Sequence, residues 1–418
     1  MTIEAELGLF QALGVELEYM IVDADTLAVR PIADELLRDA AGEIASEVEH
    51  GTIAWSNELV AHVVELKTSE PAAALEGLDR DFAGNVREIN RRLATHRARL
   101  LPTAMHPWMC PASETRLWPH DYGIVYQTFD RIFGCQGHGW SNLQSVHLNL
   151  PFAGDEQFGR LHAAIRLLLP ILPALAASSP ARDGEITGWL DTRLDVYRGN
   201  SRQIPSITGQ VVPEAVFCRA DYEREIFQRM YDDIAPWDPA GVLQHEWLNA
   251  RGAIARFDRS TIEIRVLDLQ ECPQADLAVC AAIITVLQEI VAERWFSLAE
   301  QQAWATEPLA EIFLAAARDG DEAMIQDERY LRALGFAGAA PCTAGRLWRH
   351  LLTHAAEVLG AAAEPWRAAW DTIGSQGPLA RRILRALDAQ SGDRQQRLAA
   401  VYRRLTECLD RDELFRVN

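Results

Sequence analysis

Four stretches of the chain alternate polar and apolar residues with a period of two: VELEYMIVD (15–23), LVAHVVELKT (59–68), SVHLNLPF (145–152) and STIEIRVLD (260–268). Successive side chains of a strand point to opposite faces, so each stretch predicts a strand with one face on a core and a polar face turned elsewhere. Between them lie runs of helical period. LEGLDRDFAGNVREINRRLATHRARL (75–100) carries apolar residues at three- and four-residue spacing and ends in basic residues that complement a helix dipole. LHAAIRLLLPILPALAASS (161–179) is the most apolar stretch, but Arg166, Pro170 and Pro173 interrupt it. It predicts a buried helix and not a membrane span. Beyond Pro273 the chain is rich in Ala, Leu and Arg and almost wholly helical in period. No repeat or low-complexity linker is visible, and the seams near 236–241 and 336–345 do not read as flexible tethers. The pattern predicts an α+β body over residues 1–272, with helices over one sheet face. A mostly helical part, 273–418, packs on the same domain.

Composition narrows the partners. Of 418 residues 49% are hydrophobic and 24% charged, enough for a sizeable core. A formal charge of −20 repels phosphate backbones and anionic lipid, so nucleic acid and membranes are excluded as expected partners. A nucleotide stays allowed if divalent metal bridges it to the protein. Seven dispersed cysteines without a C-x-x-C pair predict reduced thiols, and MTIEAELGLFQALG lacks the basic and apolar regions of a signal peptide. Both point to the cytoplasm. Lys67 is the only lysine among 40 basic residues, which reads as a compositional bias toward arginine.

The polar strand faces carry the candidate chemistry. Glu16 and Glu18 share a face, as do Glu65 and Lys67, as do Ser145, His147 and Asn149, and as do Thr261, Glu263 and Arg265. A solvated sheet face is the plain alternative for any one strand, but adjacent same-face glutamates repel unless a cation lies between them. Carboxylates in that pattern suit Mg²⁺ or Mn²⁺, which take hard oxygen ligands and leave places for phosphate. There is no G-x-x-x-x-G-K-[ST] loop, and GCQGHGW (134–140) matches no phosphate-binding fingerprint. Glu58 and Glu65 are seven apart, so Glu58 must lie before the strand or beyond a bulge, or it is no ligand. Arg198 and Arg202 could clamp the carboxylates of an amino-acid substrate, or pair with Asp191 and Asp195. Trp247, Asn249 and Arg251 precede the last strand and are candidates to line the site. His350 and His354 are four apart on a helix but lack a third ligand, so ordinary helix-face histidines are expected.

The set E-x-E in GVELEYM, E-x6-E in NELVAHVVEL, MHP at 105–107, SVHLNLPF and TIEIRVLD, in this order, resembles the glutamate–cysteine ligase family. Within it the chain looks like the bacterial branch that includes carboxylate–amine ligases. The resemblance implies a glutamine-synthetase-like core, a curved antiparallel sheet forming a cup with helices packed outside, that holds ATP and Mg²⁺ (or Mn²⁺). It carries metal binding onto Glu16, Glu18, Glu58, Glu65 and Glu263. His147 corresponds to a histidine near nucleotide and metal, with Asn149 grouped beside it, and Arg265 to the arginine on the phosphates. Carboxylate–amine ligases often read H-V-H-I-G where this chain reads Ser145-Val146-His147-Leu148-Asn149, closer to the glutamate–cysteine ligase version. The implied reaction makes an acyl phosphate, first choice the γ-carboxyl of glutamate, and passes it to an amine, first choice cysteine. A phosphotransferase on the same sheet and a non-catalytic binder of nucleotide or amino acid are the rivals. Small amino acids are the expected partners, and a homo-oligomer is left open.

Overall fold

The alternation of residues 15–23 is realised as β1 (Gly14–Asp23), the central strand of an antiparallel sheet. The computed structural model describes residues 7–417. The sheet is completed by β2 (Glu47–His50), β3 (Ile53–Asn57), β4 (Val63–Thr68), β5 (Ala98–Leu101), β6 (Ser145–Pro151), β7 (Ala253–Arg256) and β8 (Thr261–Asp268). Their order is β2-β3-β4-β1-β6-β8-β7. One edge of β1 is shared: Gly14 to Leu17 pair with β6 and Met20 to Asp23 with β5, while β4 takes the opposite edge.

The apolar residues of each strand form the back of the sheet. Val15, Leu17, Tyr19 and Ile21 of β1, Leu66 of β4, Leu148 of β6 and Ile262 of β8 are all buried in one core. Helices Leu78–Leu93, Gly154–Leu168 and Pro273–Val291 contribute to the same cluster. The two most apolar helical segments, Gly154–Ala176 and Pro273–Val291, are long enough to cross a membrane. Their apolar windows are 94% and 72% buried inside the fold, as core helices are.

The front face is divided. Glu16 and Glu18 open onto a cavity of about 810 Å³. Farther along, Met20 and Val22 enter a second core with Leu101 of β5 and residues of helices Leu379–Asp388 and Arg394–Arg411. Helices over one sheet face therefore describe the Glu16–Glu18 half; on the other half the C-terminal helices close the front as well. A polar-to-apolar change along one strand face thus marks where the cup ends.

Two boundaries differ from the sequence pattern. The helix expected over 75–100 ends at Leu93; after a short turn Arg97 takes a left-handed φ of 54° and Ala98 begins β5. The free edge of β1 beyond Leu17 supplies hydrogen bonds that a longer helix would forgo. The stretch 59–68 forms a strand only from Val63, and β3 precedes it.

Candidate active site

Register decides which side chains meet. Lys67 of β4 faces Glu16 of β1, which faces His147 of β6. In the neighbouring row Ser56 of β3 faces Glu65, and Glu65 faces Glu18. Asn149 faces Glu263 of β8. Beyond Ile264 the register shifts, leaving Arg265 and Val266 opposite the single residue His147. Such a bulge bends a strand and re-aims a side chain. Here Arg265 stays on the cup side with Nε 2.9 Å from Glu263 Oε1.

The bulge is held from behind. Arg193, from helix Thr192–Tyr197, donates Nη2 to the carbonyls of Arg265 (3.0 Å) and Leu267 (2.9 Å). Its Nε bonds Asp268 Oδ1 at 2.6 Å, and Asp268 Oδ2 accepts from Ser178 N and Ser179 Oγ, both at 2.8 Å. Gly252 carries the carbonyl that accepts from Arg265 N at 2.9 Å. A Cβ there would lie 2.5 Å from Val266 Cγ1, so only glycine lets the two segments approach.

At the centre His147 Nδ1 lies 2.9 Å from Glu16 Oε2 and 3.7 Å from Glu263 Oε1. Its Nε2 lies 3.0 Å from Ser145 Oγ, and Ser145 donates both N (2.6 Å) and Oγ (2.9 Å) to Glu18 Oε2. Asn149 Nδ2 donates to Glu16 Oε1 at 3.0 Å. Ser56 Oγ donates to Glu65 Oε2 at 2.6 Å. Glu58 sits in the loop between β3 and β4, outside the strand, which resolves its odd spacing from Glu65; it lines the same cavity.

Electrostatics separate these carboxylates. Burial works against ionised Glu16, but the hydrogen bond and charge of His147 hold it down to about 2. His147, despite burial, is raised to about 9 by Glu16 and Glu18. Burial and the Glu16 charge push Glu65 up to about 7. Burial and the charges of Glu65 and Glu18 push Glu58 well above the usual range. More negative charge converges than the protein neutralises. Glu16, His147 and Glu263 also offer ligand atoms within 4.8 Å of one another. The donors are mainly oxygen, so the site fits a hard divalent cation.

The other candidates fall elsewhere. Arg198 pairs with Asp195 at 2.8 Å and lies over the Trp189 ring, and Arg202 is exposed on the following loop; neither lines the cavity. Asn249 and Arg251 are buried, Arg251 against Glu214 and the Ser206 carbonyl, and Trp247 packs on Phe129. His354 bonds Glu289. Sequence reasoning gave no role to three further groups. Arg256 of β7 places Nη1 3.6 Å from Glu263 Oε2. Lys67 lines the cavity. Tyr197 has a buried hydroxyl without a partner among the described residues, its phenol raised by burial against the opposing charge of Arg265. Arg256 faces Thr261 across the hairpin, so the period-two rule extended to β7 would have found it.

The chain has relatives that match it over most of its length. A protein of Archaeoglobus fulgidus described as uncharacterized is 34% identical over 310 residues, 74% of this chain and 80% of its own. A Corynebacterium efficiens protein provisionally named glutamate–cysteine ligase 2-1 is 26% identical over 347 residues, 78% of this chain and 82% of its own. Among solved structures, the glutamate–cysteine ligase of Francisella tularensis in complex with AMP superposes with a TM-score of 0.56 at 14% identity. That match covers 97% of this chain and 90% of that one. A bifunctional glutathione synthetase of Pasteurella multocida gives 0.56 at 16% identity over 96% of this chain, which spans about half (52%) of that longer protein. At such identities the two structures establish the shared fold. The model of glutamate-cysteine ligase family 2 matches residues 12–403, and the chain belongs to that family.

Proposed function

We propose that the protein is an ATP-dependent carboxylate–amine ligase that activates an amino-acid carboxylate, first choice the γ-carboxyl of glutamate, and joins it to an amine, first choice cysteine. The observation that carries this reading is the convergence of Glu16, Glu18, Glu58, Glu65 and Glu263 on one concave face with Arg265 aimed into it by a bulge. The family and the nucleotide complex of the Francisella relative support it.

Joining a carboxylate to an amine in water is uphill. The carboxylate oxygen must first attack the γ-phosphorus of ATP, releasing ADP; the amine nitrogen then attacks the acyl carbon and phosphate leaves. Phosphoryl transfer asks a protein for positioning and charge neutralisation more than for covalent help. Mg²⁺ or Mn²⁺ held by the glutamates would supply neutralisation of phosphate charge. Arg265 and Arg256 flank Glu263 and can present guanidinium forks to phosphate oxygens. His147, bonded to both Glu16 and Ser145, keeps the central carboxylates oriented, and Asn149 fixes the second oxygen of Glu16.

A screen of ATP consumption over pairs of amino acids, with Mg²⁺ present, tests the proposal. Release of ADP that requires both a carboxylate and an amine, with amide product by mass, is the expected result. Accumulation of a phosphorylated product without amine would favour the phosphotransferase, and absence of turnover with every pair would favour the binding protein.

A further inference from the structure

The lone lysine is not placed at random. Lys67 sits in the cavity wall, with Nζ 2.7 Å from Glu47 Oε2 and 3.4 Å from Glu65 Oε2, and 29% of its side chain stays exposed. An ammonium has three donors, so two carboxylate contacts leave one for a ligand. Register places it at one end of the row Lys67–Glu16–His147–Arg265. Three strand spacings separate the β4 and β8 columns, about 14 Å. Fixed cations therefore stand at both flanks of the acidic row. The β8 flank has two guanidinia, Arg256 and Arg265, whose planar forks suit phosphate. The β4 flank has one compact ammonium among carboxylates, with Glu47 half exposed beside it.

We infer that the β4 flank binds the zwitterionic head of an α-amino acid, with Lys67 taking the α-carboxylate and Glu47 the α-ammonium. The inference rests on the proposed ligase reading and names the end of the cup that selects the acyl donor. A plain anion would be repelled by Glu47 and a plain cation by Lys67, whereas a head carrying both charges meets a complement for each. The adjacent strand column, with Glu16, is one spacing away, about 4.8 Å. A carboxylate three carbons from the head reaches it, as the γ-carboxyl of glutamate does. Arginine would keep the charge but replace the compact ammonium between Glu47 and Glu65 by a planar fork of different reach.

The test compares L-glutamate with 4-aminobutyrate, which keeps the ammonium and the distal carboxylate and lacks only the α-carboxylate. Calorimetric binding to the whole protein with Mg²⁺ and ADP present needs no turnover, so it is independent of whether ligation itself is found. Wild type should prefer glutamate by about thirtyfold or more, the scale of a charge-assisted contact. Lys67→Met should reduce that preference to within about threefold by weakening glutamate alone. Lys67→Arg should keep part of it. Should Lys67→Met lose its thermal transition, Lys67→Met combined with Glu47→Gln removes the orphaned acid, and the same loss of preference is expected. A preference that survives without Lys67, or equal binding of both compounds by wild type, overturns the inference. Absence of amide formation by a wild type that shows the preference would overturn the ligase reading and leave the head-group site standing.

Discussion

Strand β8 carries two groups of charge that obey opposite rules. At its end Asp268 and Arg193, 0% and 1% exposed, form an ion pair with both Asp268 oxygens hydrogen-bonded. Burial with the Asp268 charge pushes the neighbouring carboxyl of Asp191 well above its usual range, which favours its neutral form and leaves one carboxylate for one guanidinium. In its middle Glu263 opens onto a face where five carboxylates meet and where burial and mutual repulsion push Glu58 and Glu65 upward. A closed pair is required for folding, since either partner alone would be an uncompensated buried charge. An open excess of negative charge burdens the empty protein and becomes useful when a cation and its anionic ligand arrive. Charge balance thus distinguishes the scaffold from the site.

Neutral isosteres in each group give the largest expected contrast. Glu16→Gln and Glu18→Gln should each lower kcat by about a thousandfold, the scale of a lost preorganised electrostatic contact. Their thermal midpoints should fall less than that of Asp268→Asn, Glu16→Gln giving up its ion pair with His147 while Glu18 and Glu263 stay beside that ring. Asp268→Asn should instead cost about 3–5 kcal/mol of stability by stranding Arg193. Urea unfolding alongside steady-state ADP release separates the two, and an unstable Glu16→Gln beside an unaffected Asp268→Asn would break the comparison.

A smaller effect is expected where the two groups touch. Arg265 takes its aim from the bulge that Arg193 braces. Arg265→Lys should lower kcat about a hundredfold and change the KM for ATP much less, because lysine keeps the charge and loses the fork. A kcat within threefold of wild type would reduce Arg265 to an ion pair with Glu263, which at a partly exposed position contributes about 0–1 kcal/mol.

What the sequence revealed follows the same division. The open group was legible because a strand that turns glutamates to one side writes E-x-E and E-I-R with a period of two. The closed group was not: Arg193 and Asp268 lie 75 residues apart and meet only through the fold. β3 was hidden because all five of its residues are buried and the segment shows no alternation. Residues 98–100 were read as helix because the basic, apolar pattern of the preceding helix runs on without a break. Lys67 was visible but was taken for composition, and the DVYRGNSR loop was credited to Arg198 and Arg202, whereas Tyr197 carries the buried hydroxyl.

The smallest predicted effect concerns stability without metal. Glu65 has a folded pKa of about 7, above the ordinary 4.5, so the native state holds a proton that the unfolded state releases. Its contribution is fully present below about 4.5 and is lost as pH rises through 7. Glu65→Gln should therefore gain on wild type across that window, by up to about 3 kcal/mol, in denaturant titrations with EDTA. An advantage that is flat with pH would show that Glu65 feels no excess charge.

The carboxylate face should admit a nucleotide only through divalent cation. Calorimetric titration of ATP into metal-stripped protein, with and without Mg²⁺, measures this directly. Binding should require Mg²⁺ and should be weakened by Glu16→Gln, Glu18→Gln and their combination. ATP affinity unchanged by EDTA, or unchanged in the double variant, would contradict it.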